Sequence, residues 1–198
     1  MLWPKLKCGV YALALGLCLT VRADPALGHE FLLKPVDDAG RAQVEAQAAH
    51  VFMVSEEMEA LDDVELVMLN KDLAKTPLAL TEAPQAKALR ADLPEADGVC
   101  LVFGHRKPQL WSETTGDVLA GGWETLEPQG YKVLSVGKYE KFAKLILNAD
   151  PADERVYRQP AGHPLEIELL SNPASLRPGD ELRCRILWPK LMALSSHD

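Results

Sequence analysis

Leu165-Glu-Ile-Glu-Leu-Leu170 alternates apolar and charged residues, and Glu181-Leu-Arg-Cys-Arg-Ile-Leu187 alternates again. Between them lies Asn172–Asp180, dense in Asn, Pro, Ser, Gly and Asp. Alternation marks a strand with one covered face, because successive side chains leave a strand on opposite sides. The same grammar runs back through the chain. Phe31–Val36 is an extended segment stopped by Pro35. Gln43–Val54 alternates through Val44, Ala46 and Ala48 and ends in the apolar run Val51-Phe-Met-Val54. Glu65–Leu69, Pro77–Leu80, Gln109–Ser112 and Tyr131–Val136 are further short strands. Strands of this length at this spacing predict a mainly β chain, an immunoglobulin-like β-sandwich.

Two segments carry more specific expectations. Ala86–Leu93 and Gly98–Phe103 flank Pro94-Glu-Ala-Asp97, which favours a turn, so they are expected to form a hairpin. In 138–149, Tyr139, Phe142, Ile146 and Ala149 recur at helical spacing, and Asn148 and Pro151 offer stop signals. That predicts one amphipathic helix packed over a sheet. The sandwich then spans 29–159, with Asp150–Gln159 as a polar linker. Residues 160–187 read as the start of a second immunoglobulin-like domain, truncated after two strands, which cannot close a core alone. Residues 188–198 read as an irregular tail.

The N-terminus explains where such a chain works. Lys5 and Lys7 precede Cys8–Val21, 14 residues without a charge, and Arg22–Gly28 forms a short tail ending Ala26-Leu27-Gly28. This is the pattern of a cleavable secretory signal over 1–28, and the run is shorter than a membrane span. Cleavage after Ala23 competes, but leaves almost no spacer. Neither Cys8 nor Cys18 follows the small residue expected before a lipid-modified cysteine. The expectation is a periplasmic protein that meets the membrane only through its signal before cleavage.

A net charge of −8 argues against nucleic acid as a partner. Of four cysteines, Cys100 and Cys184 remain after the signal; a disulfide is open to them, but two buried thiols are expected. There is no Cys-x-x-Cys, Gly-x-Ser-x-Gly, His-Glu-x-x-His, phosphate loop or dinucleotide fingerprint. The chain therefore reads as no enzyme.

Three motifs in fixed order carry a family resemblance. They are His29-Glu-Phe-Leu-Leu-Lys-Pro35 behind the signal, Tyr139-Glu-Lys-Phe-Ala-Lys-Leu-Ile-Leu147, and Gly162-His-Pro-Leu-Glu-Ile-Glu-Leu-Leu-Ser-Asn-Pro-Ala-Ser-Leu-Arg-Pro-Gly-Asp-Glu-Leu182. Together they resemble the exported bacterial DUF4198 family, formerly grouped with nickel-uptake components of the NikM type. The chain departs from the family pattern at Leu32, where Trp is more usual, and at Trp188-Pro-Lys-Leu191. The resemblance implies a periplasmic protein with immunoglobulin-like domains, often associated with a membrane metal-uptake system.

Histidines are the candidate ligands, since imidazole suits nickel, cobalt, copper and zinc. Cleavage at Gly28 makes His29 the first residue, so that its α-amine and imidazole form one chelate. Glu30 adds an oxygen, and His50 or His105 could complete a site. The plainer readings are a first-strand residue for His29, a strand histidine for His50, and an exposed basic-loop residue (Gly104–Pro108) for His105. His163 reads as structural and His197 is set aside with the tail. Glu56, Glu57, Glu59, Asp62, Asp63 and Glu65 place six acids in ten residues without a base, which reads as a solvated acidic loop. The function expected is therefore nickel or cobalt binding, as an uptake-associated accessory. A metal-free periplasmic scaffold or adhesion module is the alternative, and a copper-dependent oxidative enzyme a remote one.

Overall fold

The computed structural model describes residues 29–95 and 98–188. The expected signal, 1–28, and the tail beyond Trp188 lie outside the described residues, as does part of the expected Pro94–Asp97 turn. The chain is mainly β, in antiparallel sheets, with one short α-helix among the described residues (α1, Trp123–Leu126). The first sheet holds β1 (Glu30–Asp38), β2 (Arg41–Ala49), β5 (Thr81–Ala83) and β6 (Ala88–Asp92) in the order β1-β2-β6-β5. The second is built on β7 (Cys100–Thr114). β3 (Val64–Leu69) and β8 (Val118–Ala120) share one side of β7, and β9 (Val133–Leu147) runs along the other. β4 (Lys75–Leu78) borders β3.

The main core lies between these sheets. Phe31, Leu33, Val44, Ala46, Leu89 and Ala91 from the first meet Val64, Leu66, Met68, Cys100 and Val102 from the second. Removing this apolar surface from water is the principal force joining the sheets. Gly104 makes the approach possible, since a Cβ there would sit 3.0 Å from Phe31 and 3.1 Å from Leu33. The three strand prolines fall where a missing N–H is tolerated, Pro35 on edge strand β1, Pro77 on edge strand β4 and Pro108 at an irregularity in the β7–β9 pairing. Pro35 therefore does not stop the first strand.

The first half of β7 is buried on both faces. Cys100 and Val102 point to the main core, while Leu101 and Phe103 join Leu69, Val99 and Val156 in a second cluster. The segment 150–163 supplies the cover: Val156 and Tyr157 are fully buried, so the expected polar linker is partly a packing element.

The expected helix at 138–149 is a strand, β9, paired with β7 from Val133 to Leu147. The helical spacing of Tyr139, Phe142 and Ile146 misled because β9 has apolar residues on both faces. Ala143, Leu145 and Leu147 pack on the main core, and Ile146 packs on the second cluster. A strand with apolar residues on both faces loses its alternation, which leaves period 3.6 to arise by chance. The expected hairpin of 86–93 with 98–103 is likewise not formed: β6 lies in the first sheet and β7 in the second. The chain crosses between sheets there, with the Leu93 N–H turned back to the Ala42 carbonyl at 3.0 Å.

β10 (Glu166–Leu169) and β11 (Cys184–Leu187) pair as a separate two-stranded sheet. Asn172 ties its connecting loop to the second sheet's cover, donating to the carbonyls of Asp150 (3.0 Å) and Asp153 (3.1 Å) and accepting from the Ala174 N–H. Ile167 faces Ile186, and Leu169 faces Cys184, on one side of this hairpin. Both isoleucines are exposed there. That placement corrects the expectation of two buried thiols: both are free, Cys100 buried and Cys184 exposed. Burial pushes the Cys100 thiol up.

Candidate metal centre

The centre lies where β1 begins and β2 ends. These strands turn through Ala39-Gly40, both left-handed (φ 53° and 87°), and the Gly40 N–H donates to Asp37 Oδ1 at 2.7 Å. Two such residues give the two-residue turn whose twist suits a hairpin. The turn fixes the register: Asp38 faces Arg41, and outward from there Glu30 faces Ala49. One step further sets His29 against His50. Their ring centroids are 4.1 Å apart, tilted by 51°.

A tight reversal brings the carboxylates. Met53 is left-handed (φ 63°), and the Val54 N–H returns to the Val51 carbonyl at 3.0 Å. The run Val51–Val54, expected as the core-like end of a strand, is this turn, and Val51, Phe52 and Val54 are exposed. Glu56 then lies beside β2 with its N–H on the Ala48 carbonyl at 2.9 Å. Ser55 Oγ pins the reversal by donating to the Lys87 carbonyl at 2.6 Å.

Glu56 Oε2 now stands 2.6 Å from His50 Nδ1 and 3.5 Å from His29 Nε2. Glu57 Oε1 stands 2.6 Å from His29 Nδ1. One donor atom from each of His29, His50 and Glu56 lies within 4.8 Å of the others. The hydrogen bond from His50, the largest influence, holds the Glu56 carboxyl below its ordinary value, so it is ionised at neutral pH. The second sheet fixes the His29 main chain, whose carbonyl accepts a hydrogen bond from the Lys141 ammonium on β9. Burial and the neighbouring Arg106 hold Lys141 below the ordinary lysine range, against the pull of Glu59, Glu30 and Glu57. Arg106 Nε itself lies 3.3 Å from Glu59 Oε1, an ionic contact off the hydrogen-bond axis.

The donor set fits a borderline transition metal: two imidazoles and one carboxylate. An ion about 2.0–2.2 Å from each donor spaces neighbouring donors about 3–3.5 Å apart. His29 and Glu56 already match that spacing. The His50–Glu56 contact is a hydrogen bond, which opens by less than about 1 Å when an ion replaces the shared proton.

Of the four residues singled out in the sequence, His29 and His50 come together and two stand apart. Glu30 is exposed on β1 and outside the cluster. His105 lies within β7 rather than in a basic loop, because strand pairing continues through it to a bulge at Pro108. Its ring stacks on Phe142 (5.1 Å, 11°) and its Nε2 is 2.8 Å from Glu140 Oε1. His163 lies against the other part of this stack, 4.6 Å from Phe142 and 6.0 Å from His105. Glu56 and Glu57 were missed as site residues. The acidic run is not simply solvated, since Glu59 meets Arg106 and Glu65 meets Lys107 at 3.0 Å.

The His163 environment sets a pH response. Burial, helped by His105 and Lys144, pushes the His163 imidazole below its ordinary 6.5, against Glu166 and Glu140. Burial would raise Glu166, but the Lys144 bond and the N–H groups of Ala161 and Gly162 hold it below its ordinary 4.5. In both cases the unfolded chain binds the proton more readily, so the stability these two groups contribute is complete above about pH 6.5 and falls with acid. The first loss comes as pH drops below 6.5 (His163), the second below 4.5 (Glu166). Urea midpoints at pH 8, 6 and 4 are expected to fall in two stages, and His163→Gln is expected to remove the first.

The fold and site define a β-sandwich protein with a two-histidine, one-carboxylate cluster at the start of its first hairpin. Residues 26–189 match the family model described as Domain of unknown function (DUF4198), and the chain belongs to that family. No curated protein and no solved structure matches it.

Proposed function

We propose that this protein binds a transition-metal ion, nickel or cobalt foremost, in the periplasm as an accessory to a membrane metal-uptake system. The observation that carries the reading is that His29, His50 and Glu56 each bring one donor atom within 4.8 Å of the others. The β1–β2 register and the Val51–Val54 turn bring them together. The uptake role rests on the family resemblance and on the signal-like N-terminus.

The metal-free scaffold reading draws support from a different place. Ile167 and Ile186 are 56% and 66% exposed on one face of the β10–β11 hairpin, with Leu165, Leu182 and Trp188 exposed nearby. Contiguous exposed apolar residues favour contact with another surface. The copper-enzyme alternative asks for the His29 amine together with Nδ1, and Glu57 already engages Nδ1.

Calorimetric titration of the chain starting at His29 with Ni²⁺, Co²⁺, Cu²⁺ and Zn²⁺ separates the two main readings. One ion per chain at micromolar affinity or tighter is expected. Heats no larger than those of a His29→Ala, His50→Ala double variant would leave only the scaffold.

A further inference from the structure

Building on that metal reading, we infer that His29 gives the ion its Nε2 nitrogen, with Glu57 as the positioning residue, and that the site therefore does not need a free N-terminus. An amine chelate at an N-terminal histidine closes through the α-amine, Cα, Cβ, Cγ and Nδ1. Nε2 lies on the far side of the ring and cannot close it. In this protein Nδ1 is committed elsewhere, 2.6 Å from Glu57 Oε1. Nε2 is the nitrogen facing Glu56 Oε2 at 3.5 Å, and that same oxygen faces His50. A carboxylate on one imidazole nitrogen places the proton there and leaves the lone pair on the other, the usual way an outer carboxylate orients a metal-binding histidine.

The His29 position does not depend on its amine either. Its carbonyl is held by Lys141 from the second sheet, and its ring follows from the β1–β2 register. Every contact that places Nε2 comes from His29 onward. Export could thus cleave at either of the two competing positions and leave the same ligand set.

Two chains test this, one beginning with His29 and one with Asp24. In the second, five residues separate the amine from His29, and Pro25 denies the new terminus an amide nitrogen for chelation. Zn²⁺ and Ni²⁺ affinities within about threefold of each other are expected, and a loss of tenfold or more in the Asp24 chain overturns the inference. In the metal-free protein at pH 8, nitrogen-15 spectra are expected to show His29 protonated on Nδ1 and bare on Nε2; the opposite tautomer also overturns it. Glu57→Ala is expected to weaken binding about tenfold and to mix the tautomers, while Glu57→Gln, which keeps an acceptor oxygen, restores most of both. If neither chain binds any ion, the metal reading itself fails, and this inference with it. Binding that requires the His29 amine sinks only the inference.

Discussion

Replacing His50 with alanine is expected to weaken Ni²⁺ or Zn²⁺ binding by about two orders of magnitude while leaving the metal-free melting temperature unchanged. Loss of even an outer-shell partner costs 10–100-fold in metal affinity, roughly, and His50 is proposed as a direct ligand. Its side chain is 45% exposed and its hydrogen bond is to Glu56, so the fold loses little with it. Glu56→Gln is expected to fall between wild type and His50→Ala, since the amide oxygen still reaches the site without its charge. His105→Ala is the internal control. It removes a stack on Phe142 and a contact with Glu140, outside the cluster, and is expected to leave metal affinity intact. Calorimetry on the three variants, with thermal melts of each, reads both quantities.

Lys144→Met is expected to produce the largest loss of stability, about 3 kcal/mol, because it leaves a buried carboxylate without its counter-charge, held only by the Ala161 and Gly162 N–H groups. Lys144 Nζ reaches Glu166 Oε1 at 2.6 Å and the carbonyls of Gln159 and Ile167 at 3.2 Å. The pair is nearly closed to solvent, so screening does not discount it as it would at the surface. It is also the stitch between β9 and the β10–β11 hairpin, so 157–187 should exchange amide protons before the rest of the chain does. Adding Glu166→Gln to Lys144→Met removes the orphaned charge and is expected to recover part of the loss. A double variant no better than the single would mean that the lysine acts through packing alone.

Local pattern revealed several of the strands but not their partners. Val44, Ala46 and Ala48 do share a face of β2, and the alternation at 165–170 and 181–187 does mark two paired strands. Which strands join which sheet depends on contacts far apart in sequence. Hence 86–93 and 98–103, close in sequence and both extended, part company into different sheets. The error at 138–149 has a different cause, a strand with partly buried apolar residues on both faces, so that its period of two disappears.

The site was half legible. His29 stood out for its place behind the signal, but its pairing with His50 follows from arithmetic on one turn. With Asp38 opposite Arg41, residues whose numbers sum to 79 face each other, as Glu30 and Ala49 do, and the next such pair is His29 and His50. The signal needed was Ala39-Gly40 as a two-residue turn. Glu56 and Glu57 carried no such mark. Their arrival depends on left-handed Met53 and on Ser55 reaching Lys87, which no periodicity encodes.

X-ray absorption at the zinc edge of the Zn²⁺-loaded chain reads the ligands of the ion themselves. A first shell holding two imidazole nitrogens at about 2.0–2.1 Å and a carboxylate oxygen is expected, with the imidazole scattering halved in His50→Ala. An all-oxygen shell, or a spectrum unchanged by that substitution, would contradict a metal centre at His29, His50 and Glu56.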